Sequence, residues 1–289
     1  MGKGWSAELK LKGAGGEPVD LWRTFSSHGV AALPPQVLDE EEHTLESTLL
    51  LPRGRARTIR IRAGRRGRAL VEAAGRVSAA DGAVIAETVA HMLRLDADLS
   101  PFYEVAGSDP DLSWAARGAG RMLRSPTVFE DVVKTVCTTN CAWGGTVRMV
   151  TALVDNLGVP ARTGLRTFPS AAAMADAGEG FYRDVARAGY RGAYLRALAE
   201  NVASGALDLE ELNDQEVPDD EVEQRLLALP GVGPYAAAHV MLTSLGRYHR
   251  LVLDSWTRPT YAKLAGRKAS DKTIERKFRR YGDYAGLAF

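Results

Sequence analysis

The sequence predicts an α+β protein, in which a small antiparallel β-sheet is followed by a mostly α-helical part. Up to about residue 75, hydrophobic and polar residues alternate, as in Ile59-Arg60-Ile61-Arg62, which is the two-residue period of a strand. From about residue 80 onward, the hydrophobic residues recur at the helical period instead. We therefore predict an N-terminal sheet domain over residues 1–78 and a helical domain over residues 79–289.

The individual elements are predicted from local patterns. Glycine-rich or proline-containing breaks separate four runs with strand character: Glu8–Lys12, Thr44–Leu51, Thr58–Ala63 and Ala69–Ala73. Hydrophobic periodicity predicts three helices in the second part: Ala83–Leu95, Gly145–Leu157 and Arg191–Val202. Thr127 and Glu130 have the spacing of a capping box ahead of a hydrophobic run, so a helix is expected to begin there. Ser170 follows Phe168-Pro169 and is expected to cap a further helix.

The composition excludes several classes of protein. The 289 residues are 45% hydrophobic and 25% charged with a formal net charge of +1, which is typical of a soluble globular protein and not of a polycation. No hydrophobic run approaches the roughly 18 residues of a membrane span, and the first residues lack the core of a signal peptide. We expect no membrane partner and a cytoplasmic location, associated with the nucleoid if the protein is bacterial.

The two cysteines, Cys137 and Cys141, lie four positions apart in a segment predicted to be helical. They cannot supply the four thiolates of an iron–sulfur cluster. Small core residues are the favoured interpretation, and a redox pair is the alternative. We expect no iron–sulfur cluster and no required cofactor.

Charges are segregated along the chain, although their sum is close to zero. Eight arginines between Arg53 and Arg68 form a block without an acidic residue, which is either a solvated face of a hairpin or a contact for phosphates. Residues 208–223 are strongly acidic and would repel a phosphate backbone. A second basic run lies between Arg258 and Arg280. The balanced sum is compatible with nucleic-acid binding if the basic segments share one face of the fold.

Residues 226–259 carry the most informative pattern. A short helix, Asp220–Leu227, is predicted before the turn 229–234, and a second helix runs from Tyr235 to about Leu245, so that residues 220–246 form a helical hairpin. Gly231 and Gly233 let the backbone approach a phosphate closely. The amides that begin the second helix present the positive end of its dipole. The hairpin can therefore bind a phosphate without a lysine.

Asp254 lies nineteen residues after Tyr235 and directly follows the hydrophobic run Leu251-Val252-Leu253. On spacing alone, a carboxylate in this position is more typical of a helix cap than of a functional group. Both interpretations are kept at this point.

Several segments together resemble the helix-hairpin-helix DNA glycosylase superfamily (HhH-GPD), nearest the branch of the 8-oxoguanine and alkylpurine enzymes. Leu229–Ala237 is similar to the family hairpin, and Asp254 stands where the catalytic aspartate of the family is expected. Three further segments are similar to segments of 8-oxoguanine glycosylase: Val136–Asn140, Phe168–Ser170, and Gly189–Arg191 with Tyr194. The matches cover roughly residues 125–265, and the N-terminal sheet is only loosely similar to the sheet domain of those enzymes.

The resemblance implies roles for individual residues. Asp254 is expected to be the catalytic carboxylate of a DNA N-glycosylase. Asn140 and Tyr190 are expected to fill the gap left by a flipped nucleotide, with Arg191 close to a phosphate or to the unpaired base. Four residues of the turn are expected to contact DNA: Gly231, Val232, Gly233 and Pro234. Three backbone carbonyls are expected to bind a structural Na⁺ or K⁺: those of Leu227, Leu229 and Val232.

The base pocket is expected to contain Tyr235, His239 and Trp256. Tyr235 and His239 are four residues apart and share one helix face. As alternatives, Tyr235 packs against the hairpin, His239 is a satisfied polar residue and Trp256 covers the core. An electron-rich ring attracts a cationic methylated purine, so an alkylated or otherwise modified base is the favoured substrate. Gly145 and Trp256 replace an arginine and a histidine of 8-oxoguanine glycosylase, which argues against 8-oxoguanine paired with cytosine.

Tyr235 also stands where the lyases of the family carry a Schiff-base lysine. The sequence therefore predicts a monofunctional DNA glycosylase of base excision repair, acting as a monomer on double-stranded DNA with a damaged base. Two alternatives stay open: a helix-hairpin-helix protein that binds DNA damage without catalysis, and an 8-oxoguanine-type glycosylase with lyase activity. Residues 281–289 end abruptly, as though a terminal helix were incomplete.

Overall fold

A five-stranded antiparallel sheet forms the N-terminal part of the structure, which is a computed structural model that describes residues 4–289. The strands lie side by side in the order β1-β5-β4-β3-β2. Their bounds are β1 Trp5–Lys10, β2 Val37–Asp39, β3 Thr44–Leu51, β4 Arg55–Ala63 and β5 Arg68–Ala73. The sheet and the helices that follow it confirm the predicted α+β fold class.

Four of these strands were predicted, with some differences at their ends. β3 has the predicted bounds, and β4 and β5 extend the predicted segments at their N-terminal ends. β1 begins three residues earlier than expected, because Trp5 pairs with Ala73 at the end of β5, while Lys12 leaves the ladder and bridges to Pro18. β2 was not predicted, since three residues are too few to show a strand period.

The first helix after the sheet packs onto it. Helix α2, Ala79–Met92, begins at Ser78, whose side chain accepts a hydrogen bond from the amide of Asp81. Ile85, Val89 and Met92 are fully buried and join the hydrophobic core of the sheet. The core of the sheet therefore continues past residue 78, and the domain boundary predicted there stays a prediction.

The other helices follow in chain order. Their bounds are α1 Leu21–Phe25, α3 Ser100–Gly107, α4 Val128–Thr138, α5 Trp143–Leu157, α6 Ala171–Asp176, α7 Arg191–Ala203, α8 Asp219–Leu227, α9 Pro234–Val240, α10 Thr257–Leu264, α11 Asp271–Phe278 and α12 Ala285–Ala288. α9 continues without a break into a π-helical turn, Met241–Leu245, so the two helices of the hairpin lie where they were predicted. A further π-helical segment is Phe181–Val185. Short 3₁₀ segments are Gly29–Ala32, Pro52–Gly54, Ala115–Arg117, Glu210–Asn213 and Arg279–Tyr284.

The two predicted helix caps are confirmed. The side chain of Thr127 accepts a hydrogen bond of 3.2 Å from the amide of Glu130 at the start of α4. Ser170 accepts one of 3.2 Å from the amide of Ala173 at the start of α6. The carboxylate of Glu130 forms a buried ion pair of 2.7 Å with Lys134, one turn further along α4.

Helix α4 lies at the centre of the second hydrophobic core. Val132, Val133 and Val136 are buried, and residues of α5, α7 and α9 belong to the same core. Val30 and Leu33, from the segment after α1, also belong to it. This N-terminal segment therefore reaches across from the sheet to the helical part.

A buried lysine fastens that segment to α4. Lys134 is fully buried, and its ammonium donates hydrogen bonds to the carbonyl of Leu33 at 3.3 Å and to the side chain of Gln36 at 2.5 Å. Its charge is balanced by Glu130. Residues 28–36 are thus held in a defined place beside the helical core.

The cysteines are placed only partly as predicted. Cys137 is buried within α4, and burial raises the pKa of its thiol to about 12. Cys141 lies in the loop after α4, outside the helix, and its thiol donates to the carbonyl of Cys137 at 3.2 Å. Over residues 4–289, no helix combines the length and hydrophobicity that crossing a membrane requires.

Candidate active site

The turn between α8 and α9 contains two glycines with different surroundings. Gly231 has a positive φ of 79°, and a Cβ added to it would lie 2.8 Å from Cδ2 of Tyr194. Gly233 is exposed, and a Cβ added to it would meet no heavy atom within 4 Å. Gly231 is therefore required by the fold of the turn, while Gly233 presents bare backbone to the surroundings.

The start of α9 presents backbone amides. Gly233 is the N-terminal cap residue and Pro234 is the first residue of the helix. The first amide to bond within the helix is that of Ala237, which donates to the carbonyl of Gly233 at 2.9 Å. The preceding amides, those of Tyr235 and Ala236, lie at the positive end of the helix dipole.

A cleft of about 1720 Å³ opens beside this turn. It lies between α9, the end of α4, the start of α5 and the residues that lead into α10. The structure brings ten of the predicted site residues together in its lining: Asn140, Tyr190, Gly231, Val232, Gly233, Pro234, Tyr235, His239, Asp254 and Trp256. The other three, Arg191, Leu227 and Leu229, are not part of this lining.

Asp254 accepts capping hydrogen bonds and also lines the cleft, and its catalytic role stays a prediction. Its Oδ1 accepts hydrogen bonds from the amides of Trp256 at 2.8 Å and Thr257 at 2.6 Å, so it caps α10. The same side chain is half-buried and lines the cleft. Because Oδ1 accepts both hydrogen bonds from the amides, the lone pairs of Oδ2 are left for another partner.

Tyr235 and His239 form an aromatic wall of the cleft. Their ring centroids are 5.9 Å apart, and the hydroxyl of Tyr235 lies 3.2 Å from that of Thr138. Burial raises the pKa of Tyr235, and the nearby charge of Asp254 acts in the same direction. Burial lowers the pKa of His239 to about 4. At neutral pH this wall is therefore uncharged.

His28 extends the wall from the N-terminal part of the chain. Its ring meets that of His239 edge to face, with centroids 6.0 Å apart. Nε2 lies 2.7 Å from the carbonyl of Leu123, so it carries the proton and donates it. Burial lowers the pKa of His28, and Nδ1 is therefore a buried acceptor, without a hydrogen-bond partner in residues 4–289.

Sequence reasoning missed His28 and several other residues of the lining. Trp143 begins α5, is 50% exposed and lies against Gly29, since a Cβ added to Gly29 would be 3.4 Å from its ring. Met122 and Phe289 also line the cleft. These residues come from distant parts of the chain and belong to none of the recognised segments, so no local pattern could identify them.

Asn140 and Tyr190 lie together at the edge of the cleft. The side-chain amide of Asn140 donates to the hydroxyl of Tyr190 at 3.1 Å. Asn140 has a positive φ of 46°, which few residue types other than glycine and asparagine adopt readily. Tyr190 is 54% exposed, and its ring meets that of Tyr194 edge to face at 5.9 Å. This pair protrudes next to the turn that Gly231 forms.

Arg191 lies behind Tyr190 and is bonded within the protein. Its side chain is buried, with Nε donating to the carbonyl of Thr139 at 2.9 Å and Nη1 to that of Ala188 at 3.4 Å. The guanidinium lies 4.6 Å from the centre of the Tyr190 ring. Three of its five N–H donors are therefore used within the protein, and its predicted place near a phosphate or the unpaired base stays a prediction.

The predicted cation site at the turn stays a prediction. The carbonyl of Leu229 accepts the amide of Val232 at 3.2 Å, as a tight turn requires. A carbonyl oxygen has two lone pairs, so this bond leaves one for a cation. Binding of a cation by the carbonyls of Leu227, Leu229 and Val232 therefore stays a prediction.

One known protein is similar to this chain in sequence over most of its length. The probable N-glycosylase/DNA lyase of Methanothermobacter thermautotrophicus is 24% identical over 225 residues, which are 69% of this chain and 70% of the relative. No protein-family model matches the chain.

Three solved structures share the fold over nearly the whole chain. MBOgg1 in complex with a low-affinity DNA ligand has a TM-score of 0.75 and 21% identity, covering 100% of this chain and 94% of the other. The apo form of the 8-oxoguanine glycosylase/lyase of Clostridium acetobutylicum has a TM-score of 0.74 and 18% identity, covering 99% and 95%. The 3-methyladenine DNA-glycosylase of Archaeoglobus fulgidus has a TM-score of 0.72 and 21% identity, covering 98% and 94%.

The fold is that of DNA glycosylases. The chain shares its fold with 8-oxoguanine and 3-methyladenine DNA glycosylases, and the resemblance drawn from the sequence is confirmed at the level of the fold. The roles of the individual site residues are proposals.

Proposed function

We propose that the protein is a monofunctional DNA glycosylase of base excision repair, which releases a damaged base from double-stranded DNA. The observation that carries this proposal is the presence of Asp254 in one cleft with the glycine turn and the Asn140–Tyr190 pair. A carboxylate, a phosphate-binding turn and a protruding wedge are the three parts that excision of a flipped base needs.

Binding begins with extrusion of the damaged nucleotide. Moving a nucleotide out of the stack costs a few kcal/mol, which contacts with the protein must offset. Asn140 and Tyr190 fill the vacated space, and the amides at the start of α9 hold a backbone phosphate. The flipped base enters the cleft between the Tyr235–His239 wall and Trp256, which is 71% exposed.

Asp254 then assists cleavage of the N-glycosidic bond. As the bond between base and sugar breaks, the electron pair leaves with the base and positive charge develops on the deoxyribose. The fixed carboxylate of Asp254 stabilises that charge electrostatically. A water molecule, oriented or deprotonated by the same carboxylate, adds to the sugar carbon and leaves an abasic site.

The absence of an amine in the cleft supports hydrolysis without strand cleavage. Among the described residues, 4–289, no lysine lines the cleft, and Tyr235 occupies the expected position of a Schiff-base lysine. A covalent imine needs a primary amine next to the sugar. The relative from Methanothermobacter thermautotrophicus and the enzyme from Clostridium acetobutylicum are both named as lyases, which makes lyase activity the second candidate.

The uncharged aromatic wall favours a cationic alkylated base. Neutral rings attract a cation placed over their faces by about 0.5 to 2 kcal/mol, whereas a protonated histidine would repel it. Gly145, in place of an arginine, offers no side chain to read the opposite cytosine. Alkylated purines are therefore the proposed substrates, in preference to 8-oxoguanine paired with cytosine.

The test is a panel of duplexes that each carry one lesion: a methylated purine, hypoxanthine, 8-oxoguanine, uracil or a bulky modified pyrimidine. We expect abasic sites from the alkylated duplex with the wild-type protein and a loss of at least about a hundredfold with Asp254→Asn. Unchanged base release by Asp254→Asn would remove Asp254 from the mechanism. Binding without release of any base would identify a damage-binding protein instead.

A second measurement decides between hydrolase and lyase. Borohydride reduces an imine between protein and DNA to a stable adduct, so a lyase is trapped and a hydrolase is not. We expect no adduct, with a glycosylase/lyase as the positive control. The monomeric state and the cytoplasmic location also remain predictions.

A further inference from the structure

The two basic runs of the sequence have different surroundings in the folded protein. Four arginines of the N-terminal block, on β4, the turn that follows and the start of β5, are paired with acidic residues from elsewhere in the chain. The pairs are Arg55 with Asp81 at 2.5 Å, Arg62 with Glu72 at 2.8 Å, and Arg65 and Arg68 with Glu8 at 3.6 and 3.7 Å. Half of the eight arginines of that block therefore have an acidic partner within the described residues, 4–289.

The C-terminal basic run is largely unbalanced. Of its nine cationic residues, Arg258 pairs with Asp271 and Arg280 pairs with Asp109, both at 2.8 Å. Lys277 lies over the ring of Tyr261 at 5.5 Å. The six others are exposed and form no ion pair within residues 4–289: Lys263, Arg267, Lys268, Lys272, Arg276 and Arg279. We call these six residues the basic surface.

The basic surface is rigidly connected to the cleft. α10 begins at Thr257, whose amide bonds to Asp254, and Arg258 in its first turn lines the cleft. Arg258 joins α10 to α11 through two bonds to Asp271, at 2.8 and 2.9 Å. Phe278 of α11 packs at 5.1 Å against Phe289, which also lines the cleft. The positions of α11 and of the cleft are thus fixed relative to each other.

The charges on α11 lie on the face away from its packing. Ile274 is buried and Phe278 packs one turn later, so these two residues define the inner face. At 100° per residue, Lys272, Arg276 and Arg279 lie on the opposite face, over a length of about 10 Å. A row of exposed cations without acidic partners is suited to a polyanion whose charges are regularly spaced.

We infer that the basic surface binds the sugar-phosphate backbone of the duplex that flanks the flipped nucleotide, as a second contact beside the turn at Gly231–Gly233. This inference rests on the proposed function, because it takes the cleft to be the site that receives the base. The acidic stretch 208–223 lies on α8 and the segment before it, where Glu223 and Asp220 pair with Arg250. DNA therefore meets α10 and α11, and the N-terminal arginine block contributes little.

The inference is tested with two variants that remove the same charge. The first carries Lys272→Gln, Arg276→Gln and Arg279→Gln on α11. The matched control carries Arg53→Gln, Arg60→Gln and Arg66→Gln, which are exposed residues of the sheet region outside the cleft lining. Affinity for a duplex with a non-cleavable abasic-site analogue is measured by fluorescence anisotropy at several KCl concentrations, after thermal unfolding has shown that both variants fold.

Each phosphate contact contributes about 0.9 to the slope of log K against log salt concentration. The α11 variant is expected to reduce that slope by about 2 to 3 and to weaken binding at low salt by about tenfold or more. The sheet variant is expected to change the slope by less than one. Equal effects of the two variants, or a larger effect of the sheet variant, would overturn the inference.

A third variant tests the three remaining residues of the basic surface. It also shows whether the effect of the α11 variant comes from a local disturbance of that helix. Lys263→Gln, Arg267→Gln and Lys268→Gln are expected to lower the slope as well, and an unchanged slope in both variants rejects the surface. Base release by the wild-type protein is measured in parallel. If the wild-type protein releases a base and the variants bind with unaltered salt dependence, the basic surface is rejected and the proposed glycosylase activity is retained. If the variants alter the salt dependence but the wild-type protein releases no base, the basic surface is retained and the proposed activity is rejected.

Discussion

Asp254 and Thr257 cap each other at the start of α10. Oδ1 of Asp254 accepts the amide of Thr257 at 2.6 Å, and Oγ1 of Thr257 accepts the amide of Asp254 at 2.9 Å. The hydroxyl of Thr257 in turn donates to the carbonyl of Val252 at 2.8 Å. The carboxylate proposed to be catalytic is therefore held in one orientation by hydrogen bonds within the turn that leads into α10.

The first prediction is that Thr257→Val lowers kcat about tenfold or more with little change in KM. Valine has the shape of threonine without the hydroxyl, so the backbone amide of Asp254 loses its acceptor and the turn that positions the carboxylate is held less firmly. Steady-state base release measures the effect, and Thr257→Ser, which retains the hydroxyl, is expected to restore most of kcat. The loss of stability should be about 1 kcal/mol. An unchanged kcat would show that this cap does not position Asp254.

The second prediction contrasts the two glycines of the turn. Gly231→Ala is expected to destabilise the free protein by about 1 kcal/mol or more, because φ is 79° and the new methyl group would lie 2.8 Å from Tyr194. Gly233→Ala should leave the unfolding temperature unchanged, since its methyl group meets nothing within 4 Å. If the backbone of Gly233 approaches a phosphate, this variant nevertheless binds DNA more weakly. Normal binding by Gly233→Ala would argue against close approach at this residue.

The third prediction concerns pH and stability. Burial lowers the pKa of His239 from 6.5 to about 4 in the folded protein, so the unfolded state binds more protons between these values. The free energy of unfolding should therefore be highest above pH 6.5 and fall as the pH decreases toward 4. The contribution of His239 is on the order of 1 kcal/mol per pH unit at most.

Urea unfolding between pH 7.5 and 4.5 measures this dependence. His239→Gln should flatten the curve, because glutamine does not titrate. His43→Gln is a suitable control, since His43 stacks on Trp22 and is not part of the cleft lining. An identical pH dependence in His239→Gln and the wild type would contradict the prediction.

The fourth prediction addresses the buried ion pair of Lys134 and Glu130. Lys134→Met removes one partner and leaves a carboxylate that is only 3% exposed, so a loss of about 3 to 5 kcal/mol is expected. The double variant Lys134→Met/Glu130→Gln leaves no buried charge and should recover part of that loss. Urea unfolding of the single and double variants measures the difference. Equal stabilities of the two variants would show that the cost lies in packing and not in the unpaired charge.

The sequence was sufficient for elements that depend on local patterns. The strand β3, the caps at Thr127 and Ser170 and the two helices of the hairpin follow from periodicity, capping residues and glycines, which act over a few residues. The cleft lining around Asp254 and Tyr235 was predicted from the resemblance, which adds the spacing between segments.

The sequence was insufficient where distant segments meet. His28 enters the cleft only because Lys134, far along the chain, fixes the segment that carries it. Local patterns also do not show that the guanidinium of Arg191 reaches the carbonyl of Thr139. The sequence also did not show which arginines of the basic runs have an acidic partner. Arg62 pairs with Glu72, for example, because the folded sheet brings their strands side by side.

The contact between His28 and His239 divides the site between two parts of the chain. The hairpin and Asp254 come from residues after 220, whereas one wall of the cleft comes from a short segment before residue 31. With the proposed function, a substitution in that short segment is expected to change which base the cleft accepts, while the groups proposed for bond cleavage remain as they are.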